Sequence, residues 1–187
     1  PEALSYITEV IQYKIGGASK VLLEEKADGE EFTIQAFTDG THLVPFPAVQ
    51  DHKRLLADDK GPNTGGMVSY SCTNGLLPFL KQREYDEAVL ILQKIVHALA
   101  SEGTKYIGPI YGQFILTAKG VKIIEVNARF GDPEAMNVLP LLQTDFVETC
   151  FAMINGTLSA NDVDMEKRST VCKYVVPEGY GRKSMVG

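Results

Sequence analysis

The chain has 187 residues, 44% of them hydrophobic and 22% charged, which suits an ordinary globular domain with room for part of a second. A net charge of -6 argues against a nucleic-acid-binding surface, which is normally basic, and no apolar run is long enough to span a bilayer. Cys72, Cys150 and Cys172 are far apart and form no CxxC pair, so neither a disulfide framework nor a structural zinc is expected, and a reducing, cytoplasmic setting is.

Residues 2–15 carry Leu4, Ile7, Val10 and Ile11 at helical spacing, and Gly16-Gly17 stops the pattern. Residues 21–26 read as a strand. Residues 31–38 alternate Phe32, Ile34 and Ala36 with polar neighbours and read as a second strand. Asp39-Gly40 is a hairpin signal, since both residues accept positive φ, and residues 42–46 return. From Pro47 to Pro78 the sequence is polar and glycine-rich with little periodicity, which reads as a long loop, either a mobile surface or a functional segment. Residues 84–101 form an amphipathic helix through Val89, Leu92, Ile95, Val96 and Leu99, and His97 within it reads as structural. Residues 113–117 and 121–127 are strands around Ala118-Lys119-Gly120. A further helix spans 145–155, with Asp145 as N-cap, Glu148 three residues on, and Gly156 as its stop. Residues 170–176 begin another strand, interrupted at Pro177. The chain opens inside a helical pattern and ends on Tyr180-Gly181-Arg182-Lys183 without a stop signal, so a piece of a longer protein is expected.

The segment richest in chemistry runs from Ile123 to Glu134. Strand side chains alternate faces, so Glu125 and Asn127 point the same way, and two hard oxygen donors at that spacing can share a magnesium ion with substrate phosphates and water. If Ala118-Lys119-Gly120 is a three-residue loop with Gly120 left-handed, Thr117 pairs with Val121 and Gln113 with Glu125, and all three oxygen-bearing side chains share a face. A two-residue turn would slip the register and put Gln113 on the other face. The blander reading of Glu125 is a solvated strand residue. Arg129 just beyond offers a cationic fork suited to a carboxylate or phosphate. Asp132 and Glu134 are open between catalysis, capping of the next segment, and pairing with Arg129.

Near the start, Glu24, Glu25, Glu30 and Glu31 surround Gly29. A glutamate there can accept from a purine amino group or from ribose hydroxyls, and the backbone of Lys26 and Ala27 can meet a purine edge. The alternative is a charged hairpin in water.

Together these stretches resemble the ATP-grasp domain of the phosphoribosylamine–glycine ligases. The resemblance is carried by Leu23-Glu24-Glu25 with Gly29-Glu30-Glu31, by Gln50-Asp51-His52-Lys53-Arg54, by Gly61-Pro62-Asn63-Thr64-Gly65-Gly66-Met67, and by Glu125 through Glu134. It covers about residues 20–180, and the last two motifs are the specific ones. The resemblance implies an α+β, partial ATP-grasp fold, an antiparallel sheet with flanking helices. Residues 1–46 would be the C-terminal part of the small lobe, 47–165 the large lobe, and 166–187 the start of a truncated C-terminal domain. It implies an enzyme that joins glycine to phosphoribosylamine and converts ATP to ADP and phosphate through a glycyl phosphate.

The implied cofactors are ATP with Mg²⁺ or Mn²⁺. By this resemblance Glu24 meets the adenine amino group, Glu25, Lys26 and Ala27 line the purine, and Glu31 holds the ribose. Gln113, Glu125 and Asn127 are the metal ligands. Asp51, Lys53 and Arg129 are the catalytic group, and Asn63, Thr64 and Asp132 face substrate. Three departures stand out: Val68 replaces a usual glycine, the N-terminal domain is absent, and so is the earlier small-lobe strand with its phosphate lysine. The fragment is therefore expected to be inactive alone. The alternatives are another ATP-grasp carboxylate–amine ligase or carboxylase, and a non-catalytic nucleotide-binding module.

Overall fold

A computed structural model describes residues 2–17, 20–58 and 60–180. Its centre is a seven-stranded, wholly antiparallel sheet in the order β6-β5-β1-β3-β4-β7, with β2 also paired to β1. The strands are β1 (Gly29–Thr38), β2 (Leu43–Pro45), β3 (Val49–Leu56), β4 (Lys60–Ser71), β5 (Gly108–Thr117), β6 (Gly120–Asn127) and β7 (Thr170–Lys173). Helices α1 (Glu2–Tyr13), α2 (Gln82–Ser101), α3 (Ala135–Val138) and α4 (Phe146–Asn155) accompany them.

Period-two geometry in β1 sends its apolar side chains to two cores on opposite faces of the sheet. Phe32, Ile34 and Ala36 of β1 and Ile110 and Phe114 of β5 point to one face, where Ala88, Leu92 and Val96 of α2 cover them. Phe32 and Phe114 stack with ring centroids 5.5 Å apart. Phe37 points to the other face and packs with Phe46, Val138, Ala152 and Met153, so α3 and α4 close that side. Asp145 caps α4 by accepting from the amides of Val147 and Glu148, and Gly156 ends it in the left-handed conformation at φ 70°.

Several expectations change. Residues 21–26 form no strand and run irregularly to Gly29. The stretch from Pro47 to Pro78 contains the β3–β4 hairpin in place of a long loop. Polar side chains on both faces hid the strand pattern, and the hairpin has register shifts between His52 and Arg54 and between Arg54 and Leu56. The sheet also runs through the boundary at residue 46, since β1 pairs with β5 along its whole length. It takes in residues 170–173 as β7 against β4. The hairpin of residues 21–46 therefore shares its sheet with the metal candidates and is not set apart from them. The end at Gly181 to Lys183 lies outside the described residues.

Candidate nucleotide and metal site

The face opposite α2 turns polar towards one end of the sheet. Hydrogen-bonded register sets the rows there: Glu31, Ile115 and Lys122 in one, Thr33, Gln113 and Glu125 in the next, Gln35, Tyr111 and Asn127 in the third. Residues paired this way share a face.

The β5–β6 hairpin reaches this register by an unexpected route. Thr117 pairs with Gly120, leaving a two-residue turn, and Leu116, Ile115 and Phe114 pair with Val121, Lys122 and Ile123. That register would send Glu125 to the α2 face with Val121 and Ile123. A bulge between the Phe114 and Gln113 pairs takes up one extra residue and restores Gln113 opposite Glu125. The Asn127 carboxamide donates to Glu125 Oε1 at 3.0 Å, so the two side chains stand together on an exposed surface.

Around Glu31 the strands converge. Gln113 Nε2 donates to Glu31 Oε2 at 3.0 Å, and Lys53 Nζ lies 3.7 Å from the same carboxylate and 3.9 Å from Asp51 Oδ2. The Asp51 side chain is buried, and among the described residues its Oδ1 has no hydrogen-bond partner. An open cavity of about 550 Å³ is lined by Glu31, Asp51, Lys53, Arg54 and Asn63.

The remaining candidates lie further out. Glu24, Lys26 and Ala27 lie on the irregular segment before β1, and Glu25 ties that segment to β6 through Lys122 Nζ at 2.5 Å. Thr64 is occupied structurally: its hydroxyl donates to the Lys53 carbonyl and accepts from the Gly66 amide. Arg129 donates to the neighbouring Phe130 carbonyl at 2.7 Å and does not pair with Asp132 or Glu134. It lines a second cavity with Gly65, Gly66, Asp132 and Tyr174. Asp132 accepts from the Tyr174 hydroxyl, and that bond raises the tyrosine pKa to about 12.

One candidate was missed in the sequence, and for Glu134 the readings left open are narrowed. Tyr111 is buried, and its hydroxyl sits within hydrogen-bonding reach of both Gln113 Oε1 and Glu134 Oε1, the latter at 3.0 Å. Glu134 makes no side-chain cap to α3; it is buried, and burial pushes its carboxyl above the ordinary range. The signal available was Tyr111 two residues before Gln113, hence on its face.

The donor set fits a hard divalent cation. Glu125 with the Asn127 carboxamide offers one carboxylate and one amide oxygen on an exposed face. Among the described residues no three His, Cys, Asp or Glu side chains gather as a metal cage. One carboxylate and one amide oxygen can hold a hard cation whose shell is completed by phosphate and water. Gln113 fits less well as a ligand, because its carbonyl oxygen faces Tyr111 and its amide faces Glu31.

The antiparallel sheet between helices, with its polar end, places the chain in the ATP-grasp class. The ATP-grasp (A) domain of phosphoribosylglycinamide synthetase matches residues 1–135. The chain belongs to that family, whose curated members carry the name phosphoribosylamine–glycine ligase. It is 55% identical over 187 residues to the Methanothermobacter thermautotrophicus enzyme, covering 100% of this chain and 42% of that one. The Methanobrevibacter smithii relative is 54% identical over 186 residues, with the same coverage. The crystal structure of phosphoribosylamine–glycine ligase from Thermotoga maritima superposes with TM-score 0.71 and 29% identity, covering 84% of this chain and 39% of that one. The biotin carboxylase domain of Hydrogenobacter thermophilus 2-oxoglutarate carboxylase shares the fold, at TM-score 0.57 and 17% identity over 88% of this chain and 33% of that one. The chain thus spans about two fifths of the length of the curated relatives it matches.

Proposed function

We propose that this chain supplies the ribose- and metal-holding part of an ATP-dependent carbon–nitrogen ligase that joins glycine to 5-phosphoribosylamine. The observation that carries the reading is the single polar face on which Glu31, Gln113 and Glu125 stand on adjacent strands, with Lys53 beside them. Glu31 holds the ribose hydroxyls. Glu24 accepts from the adenine amino group, while Glu25 and the backbone of Lys26 and Ala27 line the purine. Glu125 and Asn127 hold Mg²⁺ or Mn²⁺, which supplies charge neutralisation to the phosphates as the γ-phosphoryl transfers.

A carboxylate oxygen is a poor leaving group, so phosphorylation of glycine prepares it for attack by the amine. What the chain's own residues contribute is placement and field. Lys53 and Arg129 offer fixed positive charge to the phosphates and the acyl phosphate. Asp51 lines the cavity it shares with Asn63 and offers its negative charge to an amine or ammonium there. Asp132 lines the adjoining cavity with Arg129, and Thr64 shapes the loop between them. We place the reaction in the cytoplasm.

The test is ADP release. The chain alone is expected to bind ATP weakly and to release no ADP. The same chain joined to the remaining length found in its relatives is expected to release ADP only with glycine and phosphoribosylamine present. Release driven by another carboxylic acid, with none for glycine, contradicts the assignment.

A further inference from the structure

Arg129 and Asp132 line one open cavity of about 680 Å³, yet no ion pair joins them. Each is held by a different neighbour. Arg129 Nη1 donates to the Phe130 carbonyl at 2.7 Å, and the Tyr174 hydroxyl donates to Asp132 Oδ1. The loop that carries both charges is pinned from below. The Phe130 ring packs edge-on against Phe37 with centroids 5.9 Å apart, and the Gly131 amide donates to Gln35 Oε1 at 2.7 Å. Pro133 lies so close to β4 that a Cβ on Gly66 would sit 2.5 Å from its Cδ. Tyr174 arrives from the far edge of the sheet. Its amide donates to the Met67 carbonyl at 2.9 Å, which carries the pairing of β7 with β4 just beyond Lys173. The bond between Tyr174 and Asp132 therefore joins two segments that are held independently.

Opposite charges kept apart in one cavity complement a small zwitterion. We propose that Arg129 meets the carboxylate of glycine and Asp132 its ammonium, and that Tyr174 is the positioning residue that aims Asp132. The chemistry suits each group. A guanidinium presents its donors in a fork that fits a carboxylate. A carboxylate has acceptor sites on both oxygens, so Asp132 can accept from the tyrosine on Oδ1 and from an ammonium on Oδ2. The phenol spends its one proton on the aspartate and adds no charge of its own. That bond favours the protonated phenol, so the contact persists through the neutral range. The same arginine then faces the acyl phosphate formed on the glycine carboxylate, so recognition and activation share one cation. An acid that lacks the amine leaves Asp132 unanswered, which selects for an amino acid. The assignment to glycine rests on the reading of this chain as part of a glycine-joining ligase.

The experiment uses this chain joined to the remaining length found in its relatives. ADP release gives KM for glycine and for ATP in wild type, Asp132→Asn and Tyr174→Phe. Asp132→Asn is expected to raise KM for glycine about 10- to 100-fold, the loss of a hydrogen bond between charged groups. Tyr174→Phe keeps the ring and is expected to raise it about threefold to tenfold. KM for ATP is expected to stay within about twofold of wild type in both, since the lost contact is made to glycine alone. Acetate has the carboxylate and lacks the ammonium, so it should compete with glycine at least as well in Asp132→Asn as in wild type. Acetate weakened as much as glycine overturns the proposal. So does a KM for ATP that rises as far as the KM for glycine, which marks loosened structure alone. Should Asp132→Asn not fold, Tyr174→Phe decides by the same two constants. Glycine-dependent ADP release with an unchanged KM for glycine in the variants leaves the ligase reading standing and removes this subsite. No glycine-dependent release by wild type removes the ligase reading itself.

Discussion

Two hairpins flank β1, and they are built to different rules. The β5–β6 hairpin keeps its apolar side chains on α2, has a two-residue turn, and uses one bulge to bring Glu125 and Asn127 to the polar face. The β3–β4 hairpin shifts register twice and carries Asp51, Lys53, Arg54 and Asn63 around a cavity. One hairpin supplies oxygen donors from a firmly packed base, and the other supplies the cationic groups from a looser one. β1 lies between them, and its Glu31 is touched from both sides by Gln113 and Lys53. A site that must hold a metal–polyphosphate needs both signs of charge within a few ångströms.

Four substitutions break or sharpen that contrast. The largest effect is expected at the packed base: Phe114→Ala, which empties a fully buried ring position stacked on Phe32, should cost about 3–5 kcal/mol in urea unfolding. On the looser side, Gly66→Ala meets a φ of 141° and Pro133 Cδ at 2.5 Å. A cost on the order of 1–3 kcal/mol is expected by thermal unfolding.

The third effect lies in the strand that both hairpins lean on. Asp39, just past β1, accepts from the Thr41, His42 and Leu158 amides and from His42 Nδ1. Burial raises its pKa, and the bonds and charge of His42 with the Thr41 amide outweigh that, leaving it lowered from 3.8 to about 2. Ionised Asp39 is thus favoured in the fold. Its contribution of about 2 kcal/mol is present above pH 3.8 and is lost as pH falls through about 2. A pH series of urea midpoints should show this slope in wild type and lose it in Asp39→Asn. The smallest effect is Lys122→Ala, which removes a surface pair with Glu25 and should cost under about 1 kcal/mol, less in high salt.

The β5–β6 hairpin was legible because short apolar runs flank Ala118-Lys119-Gly120, and the 113–125 pairing was recovered even though the turn is one residue shorter than supposed. The bulge that compensates has no composition signal. The β3–β4 hairpin was illegible because both its faces carry polar side chains, so residues 49–56 and 60–71 show no apolar–polar alternation in the sequence. Residues 21–26 alternate too weakly to mark what they are, an unpaired approach to Gly29. Tyr111 was passed over because its contact with Glu134 exists only where a loop folds back 23 residues later onto β5.

The most direct test of the site is Mn²⁺ binding in the presence of ATP, followed by electron paramagnetic resonance, in wild type and Glu125→Ala. Glu125 is exposed, so the variant should keep the wild-type urea midpoint within about 0.5 kcal/mol. Its Mn²⁺ affinity should fall at least about tenfold, as expected when a carboxylate ligand is removed. Equal affinity in the two proteins would contradict the assignment of this face to a metal-bound nucleotide.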